Sequence, residues 1–111
     1  MANFLLGNVP WEPWLAGEAK YLLRPVRAGQ DGEAGLWRGT PKDLPAKTRV
    51  RYKRAELIYV IEGCVLLEVE GGEARELRSG EGAFFAVGDC VHWTILTPTF
   101  EEFYVYFPRP E

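Results

Sequence analysis

A basic cluster carries the most conspicuous chemistry in the sequence, Arg49-Val50-Arg51-Tyr52-Lys53-Arg54. Residues 38–54 contain seven lysines or arginines against one acidic residue, although the whole chain has a net charge of -3. Alternate residues of a strand share a face, so Arg49 and Arg51 would project together. A planar guanidinium holds a carboxylate or phosphate through two hydrogen bonds, and the cluster is therefore a candidate anion site. A solvated basic edge strand, whose charges discourage aggregation, is the alternative.

Glu56 follows this cluster and has two interpretations. Its carboxyl group would act as a general acid or base, with a pKa raised by burial or lowered by the neighbouring arginines. Alternatively, it would be the counter-ion of a buried arginine, because a buried guanidinium must be paired. We favour the counter-ion interpretation, since Arg49 and Arg51 lie so close in sequence.

Histidine and cysteine are too scarce for the common metal sites. The chain has one histidine, His92, and two cysteines, Cys64 and Cys90. Zinc sites take three or four nitrogen or sulfur ligands, and non-haem iron usually needs two histidines and a carboxylate. Cys90 and His92 would share a strand face, where a thiol–imidazole pair can activate a thiolate, and Cys64 would complete three ligands. Ordinary packing of small buried thiols is the alternative, and we predict no metal.

Length and composition limit the class of protein. At 111 residues, 47% hydrophobic and 26% charged, the chain can form one domain with a real core. Its acidic balance gives no support for binding nucleic acid or a membrane surface. The N-terminus lacks the basic region of a signal peptide, and no apolar stretch approaches the ~20 residues of a membrane span. We therefore expect a soluble, cytoplasmic protein.

The pattern of elements is typical of an all-β protein. Residues 1–34 are predicted to be an irregular N-terminal arm with an edge strand at Lys20–Val26, and residues 35–111 to be the main domain. Gly71-Gly72 predicts a two-residue hairpin loop. Strands at this spacing, without helical periodicity between them, indicate a sandwich or barrel. The predicted strands are Gly35–Arg38, Lys47–Lys53, Ala55–Ile61, Cys64–Glu70, Ala74–Leu77, Ala83–Val87, Val91–Thr97 and Phe100–Phe107.

Alternation within two of these strands assigns their faces. The more apolar set of each strand should point into the barrel. This places His92 and both cysteines on the outer face. The predicted inward residues are Val65, Leu67 and Val69 in one strand, and Val91, Trp93 and Ile95 in the other.

Several motifs resemble the cupin superfamily. Gly80–Gly88 is similar to the second cupin signature, and Glu56 with Gly63 is similar to the end of the first. The resemblance spans about residues 35–107 and implies a cupin double-stranded β-helix, that is, a jelly-roll barrel. The closest likeness is to the branch of ureidoglycine aminohydrolase-like small cupins, through Gly35-x-Trp37-x-x-Thr40-Pro41, Glu56-x-x-Tyr59-Val60-x-Glu62-Gly63, Trp93 and Phe103-Tyr104-Val105.

The resemblance also identifies where this chain departs from the usual cupin metal site. The His-x-His pair of that site falls on Arg49-x-Arg51, and its third histidine falls on Val91. Glu56 alone is retained. His92 is one residue away, and a shift of one residue turns a strand side chain to the opposite face.

These observations lead to one preferred function and two alternatives. We expect a compact polar or anionic small molecule to bind in the barrel of a homodimer, with no cofactor. Glu56 would move protons, and the ligand would be held by Arg49, Arg51, Tyr59 and Trp93. A metal-dependent enzyme resembling ureidoglycine aminohydrolase is the first alternative. A non-catalytic structural or regulatory dimer with a simply packed barrel is the second.

Overall fold

The computed structural model describes residues 10–14, 17–23, 32–45 and 47–108. Within these ranges the chain forms strands and no helix, so none of the described segments is a helix able to span a membrane. The strands are β1 (Glu12–Trp14), β2 (Gly17–Leu23), β3 (Glu33–Gly39), β4 (Thr48–Arg51), β5 (Glu56–Glu62), β6 (Cys64–Val69), β7 (Ala74–Arg78), β8 (Gly82–Phe85), β9 (Cys90–Ile95) and β10 (Phe100–Tyr106).

Two antiparallel sheets face each other. One has six strands in the order β1-β2-β3-β10-β5-β8, and the other has four in the order β4-β9-β6-β7. From β3 onwards the chain crosses repeatedly between the sheets, which is the connectivity of a jelly roll. The predicted all-β, double-stranded β-helix fold is confirmed, and each of the eight strands predicted from Gly35 onwards is observed.

Alternation of buried and exposed side chains places the core between the sheets. In β9, Val91, Trp93 and Ile95 are buried, and in β6 the inward residues Val65 and Leu67 are also buried. The faces predicted for these two strands are therefore confirmed. Burying such side chains removes apolar surface from water and supplies the main stabilisation of the barrel.

The N-terminal segment differs from the predicted irregular arm. β1 forms the edge of the six-stranded sheet, and β2 lies between β1 and β3. The strand predicted at Lys20–Val26 overlaps β2, which begins earlier, at Gly17, and is internal rather than at the edge; residues 24–26 of that prediction lie outside the described residues. The domain boundary at residue 35 stays a prediction.

Two glycines fix tight turns next to β6. At the hairpin between β6 and β7, the backbone nitrogen of Gly72 donates to the oxygen of Val69 over 2.9 Å, and Gly71 has a φ of 78°. Glu68 pairs with Ala74, and the backbone nitrogen of Val69 donates to the oxygen of Glu73, so the loop has three residues and the predicted two-residue loop is wrong. Gly63 has a φ of 90°, and a side chain there would clash with the carbonyl oxygen of Thr99. Only glycine satisfies both requirements at this position.

Candidate functional site

A cavity of about 100 Å³ lies inside the barrel. Its wall is mainly aromatic and aliphatic, and two carboxyl groups supply most of its polar character. A predominantly apolar wall with a few placed polar groups is typical of small-molecule sites. The lining residues are Trp14, Trp37, Leu44, Val50, Tyr52, Glu56, Trp93, Glu102, Tyr104 and Tyr106.

Strand register brings the two carboxyl groups to the same inner face. Glu102 on β10 lies opposite Trp37 on β3 and Val60 on β5. Four residues away along each strand, and therefore on the same face, Tyr106 on β10 lies opposite Glu56 on β5. Directly opposed residues of an antiparallel pair point to the same side of the sheet, so both carboxyl groups face the cavity.

Glu56 is 4% exposed and lies among groups that stabilise its charge only in part. Burial raises the pKa of its carboxyl group to about 7. Hydrogen bonds from the Tyr52 and Tyr106 hydroxyls, and the charge of Arg54, act in the opposite direction. A carboxyl group with this pKa exchanges its proton near neutral pH, which is the property required of a general acid or base.

Glu102 is the second buried carboxyl group, also 4% exposed. Its Oε1 atom has no hydrogen-bond partner among the described residues. Burial, together with the nearby charge of Glu56, raises the pKa of Glu102 well above its ordinary value. Burial therefore favours the protonated form of Glu102, which offers one donor and one acceptor.

Trp93 provides a further unpaired polar atom. Its indole Nε1 is buried and makes no hydrogen bond within the described parts of the chain. The ring is positioned by Phe85, with ring centroids 6.0 Å apart. A buried indole N–H usually finds an acceptor, and Trp93 is one of the residues that line the cavity.

A third buried carboxyl group, Glu33, is already engaged. The Tyr104 hydroxyl donates to its Oε2 atom over 2.6 Å. The rings of Tyr104 and Tyr106 meet edge to face at 5.3 Å, which fixes two walls of the cavity. Glu33 therefore holds the wall in place, while Glu56 and Glu102 face the space inside.

The inward placement predicted for Arg49 and Arg51 is wrong. Both side chains are exposed on the outer face of β4, and the inward residues are Val50 and Tyr52. The Nε atom of Arg49 lies 2.7 Å from Oε2 of Glu70. Neither arginine is therefore the counter-ion of the buried glutamate. Because successive side chains of a strand point to opposite faces, the apolar residues of β4 point inward and the two arginines point into solvent.

Tyr59 also lies outside the predicted site. Its side chain is 50% exposed, because its neighbours Ile58 and Val60 take the buried positions of β5. Of the predicted site residues, only Glu56 and Trp93 reach the cavity. Their roles there stay predictions.

The outer-face placement predicted for His92 is confirmed. Its Nε2 atom lies 2.7 Å from Oε2 of Glu70, and it shares this face with Cys90. Nη2 of Arg49 lies 3.1 Å from Sγ of Cys90. Cys64 is half-buried and is not bonded to another cysteine.

The residues at the usual cupin metal positions do not fit a three-histidine site. Val91 is aliphatic and fully buried, while Arg49 and Arg51 are cations without a free lone pair. Across the described ranges, no group of three or more His, Cys, Asp or Glu side chains could hold a metal ion. The absence of a metal cofactor itself stays a proposal.

Sequence analysis missed Glu102 and Tyr52. The signal for Glu102 was present in β10, because it shares a strand face with Phe100 and Tyr104, which are both buried. Similarly, Tyr52 has the same phase as Val50. A polar residue in phase with buried apolar ones is the pattern that identifies such a cavity carboxyl group.

Two facing antiparallel sheets with the jelly-roll connectivity, and a cavity inside the barrel, are the architecture of a cupin. The sequence matches the EutQ-like cupin domain over residues 28–104, more than half of the chain. The chain therefore belongs to the EutQ-like cupin family. The narrower likeness to ureidoglycine aminohydrolase-like small cupins stays a prediction. Comparison with curated protein sequences gives no match.

Solved structures share the fold over most of the chain. KdgF from Halomonas sp. has a TM-score of 0.71 and 20% identity, covering 96% of this chain and 94% of its own. A putative ethanolamine utilization protein EutQ from Salmonella typhimurium has a TM-score of 0.62 and 20% identity, covering 85% and 71%. The Cnp3 cupin domain of Schizosaccharomyces pombe has a TM-score of 0.73 and 9% identity, covering 96% and 73%. At these identities the likeness shows the fold alone.

Proposed function

We propose that this small cupin binds a compact polar molecule in its barrel without a three-histidine metal site. The observation that carries the proposal is that two residues lining the cavity each have a buried polar atom without a partner among the described residues, Oε1 of Glu102 and Nε1 of Trp93. A buried polar atom without a partner costs about 1–3 kcal/mol. A ligand that pairs with both atoms recovers this free energy, which favours binding.

The ligand is polar but not anionic in this proposal. The arginines expected to clamp an anion lie outside, and two glutamates line the cavity. Glu102 would donate and accept hydrogen bonds, and Trp93 would donate one. Glu56 is the proposed proton-transfer group, because its pKa of about 7 lets it gain or lose a proton near neutral pH.

Binding is tested by thermal shift with a panel of polyols, amides, amines and carboxylates of about seven heavy atoms or fewer. We expect at least one uncharged or cationic compound to raise the Tm of the wild type. The apparent affinity should fall at least about tenfold in Trp93→Phe, which loses the indole donor, and in Glu102→Leu, which loses the carboxyl donor and acceptor. Arg51→Ala is the matched control and should bind normally.

Three results would overturn this proposal. The first is that no compound stabilises the protein, which would favour a packed structural module. The second is binding that survives Trp93→Phe and Glu102→Leu but disappears in Arg51→Ala. The third is a stoichiometric transition metal in the purified protein, which would favour the metal-dependent enzyme.

We further propose that two copies of the chain pair through the outer face of the six-stranded sheet. Leu57 lies opposite both Phe84 and Val105 on its neighbouring strands, and the Phe84 ring meets that of Phe107 at 5.9 Å. Leu57, Phe84 and Phe107 are each more than 40% exposed. Adjacent exposed apolar side chains suit an identical apolar face, because a two-fold axis presents the same patch on both sides.

Phe84→Glu is expected to weaken this dimer at least about 100-fold, because the axis brings two like charges together. Sedimentation velocity over a range of concentrations measures the effect. Leu96→Glu, in a half-exposed position directly after β9, is the control and should stay dimeric. A wild type that is monomeric at every concentration, or a Phe84→Glu variant as dimeric as the wild type, contradicts the proposed interface.

A further inference from the structure

The charges around the cavity are unbalanced. Glu56 and Glu102 line it, and Glu33 lies directly behind Tyr104. No lysine, arginine or histidine is among the lining residues. Arg54 is the cation whose charge reaches Glu56, but its Nε donates to the carbonyl oxygen of Phe107 over 3.0 Å. The site therefore holds a surplus of acidic groups.

The remaining walls suit a positive charge as well. Six aromatic rings line the cavity, and the face of an aromatic ring attracts a cation within about 6 Å of its centroid. The ring of Tyr106 already attracts one cation, since the guanidinium of Arg54 lies 5.0 Å from its centroid. The aromatic residues are Trp14, Trp37, Tyr52, Trp93, Tyr104 and Tyr106.

We propose that the ligand is a small protonated amine that also carries an oxygen acceptor. This inference rests on the proposed function and names its ligand class. The ammonium group would lie against the carboxyl groups of Glu56 and Glu102 and the aromatic walls. The oxygen atom would accept the unpaired hydrogen of Trp93 Nε1. A cavity of about 100 Å³ limits such a molecule to a few carbon atoms.

Binding of a cation should release protons from the site. The groups that face Glu56 are the Tyr52 and Tyr106 hydroxyls, the carboxyl groups of Glu102 and Glu33, and the more distant Arg54. An ammonium ion adds a positive charge to this set and stabilises the ionised carboxylates. At pH 6.5 the proton held by Glu56 is therefore displaced into the buffer.

The test compares 3-amino-1-propanol with 1,3-propanediol, which replaces the ammonium group by a hydroxyl of the same size. Calorimetric titration at pH 6.5, in two buffers of different ionisation enthalpy, measures both affinity and proton release. We expect the amine to bind at least about tenfold more tightly than the diol and to release protons. Glu102→Gln should reduce this preference at least about tenfold, while Arg51→Ala should retain it.

The outcomes separate this inference from the proposed function. If the diol binds as tightly as the amine and still depends on Glu102, the cavity is a ligand site but not an ammonium site. Tighter binding of 3-hydroxypropanoate than of the amine also overturns the inference. If none of the three compounds binds, this inference fails, and the wider panel of compounds decides the proposed function separately. Should Glu102→Gln not fold, as judged by circular dichroism, Glu56→Gln provides the same comparison.

Discussion

Replacing Phe85 with alanine is expected to lower the free energy of unfolding by about 3–5 kcal/mol. Phe85 is 3% exposed, and its ring stacks on Tyr52 at a centroid distance of 4.8 Å and an interplanar angle of 15°. It also contacts Trp93. The substitution would therefore open a hole next to the cavity and release two of its walls. The whole free energy of unfolding of a domain is about 5–15 kcal/mol, so this loss would be a large part of it.

Urea denaturation followed by tryptophan fluorescence measures this effect. Leu96→Ala is the control, because Leu96 is half-exposed and its truncation should cost less than about 1 kcal/mol. Equal losses in the two variants would contradict the placement of Phe85 in the core. So would a Phe85→Ala variant as stable as the wild type.

The stability of the wild type is expected to fall as the pH rises from about 4.5 to about 7. Burial raises the pKa of Glu56 from 4.5 to about 7 in the folded protein, so the folded state holds a proton that the unfolded state has released. Stability decreases with pH wherever the folded state binds more protons. The loss across this window is on the order of 3 kcal/mol for this group. Glu102, whose pKa is also raised by burial, changes stability in the same direction.

The double variant Glu56→Gln and Glu102→Gln should flatten this dependence, because glutamine does not titrate. At pH 8 it should be more stable than the wild type, and at pH 4.5 the difference should be small. Glu73→Gln, in an exposed position, is the control and should keep the slope. Hydrogen bonding from Arg49, and then from His92, lowers the pKa of Glu70 to about 2, so that this group titrates below the window. An unchanged slope in the double variant would contradict the buried carboxyl pair.

The strands and most of their faces follow from local sequence. Apolar residues in Cys64–Val69 and Cys90–Ile95 alternate with polar ones, and glycines mark the turns, so period and boundaries could be read directly. In β4 the same rule places Val50 inside and Arg49 outside. The prediction failed there because the motif alignment, rather than the alternation, was used to assign the face. A shift of one residue then reversed every side chain.

The composition of the cavity was harder to predict, because it depends on pairing between distant segments. Glu102 meets Trp37 across one strand pair and Val60 across another. Its proximity to Glu56 follows from β10 lying between β3 and β5, an order that the sequence pattern does not specify. The unusual protonation of both groups is a consequence of this shared burial, since neither carboxyl group would be perturbed on an isolated strand.

A crystal structure of the protein with 3-amino-1-propanol is the most direct test of the carboxyl-lined ligand site. We expect the amine in the barrel, with its nitrogen about 2.7–3.1 Å from a carboxyl oxygen of Glu56 or Glu102. Its oxygen should accept the hydrogen of Trp93 Nε1. A barrel without the amine at saturating concentration, or the amine bound on the outer face beside Glu70, would contradict this site.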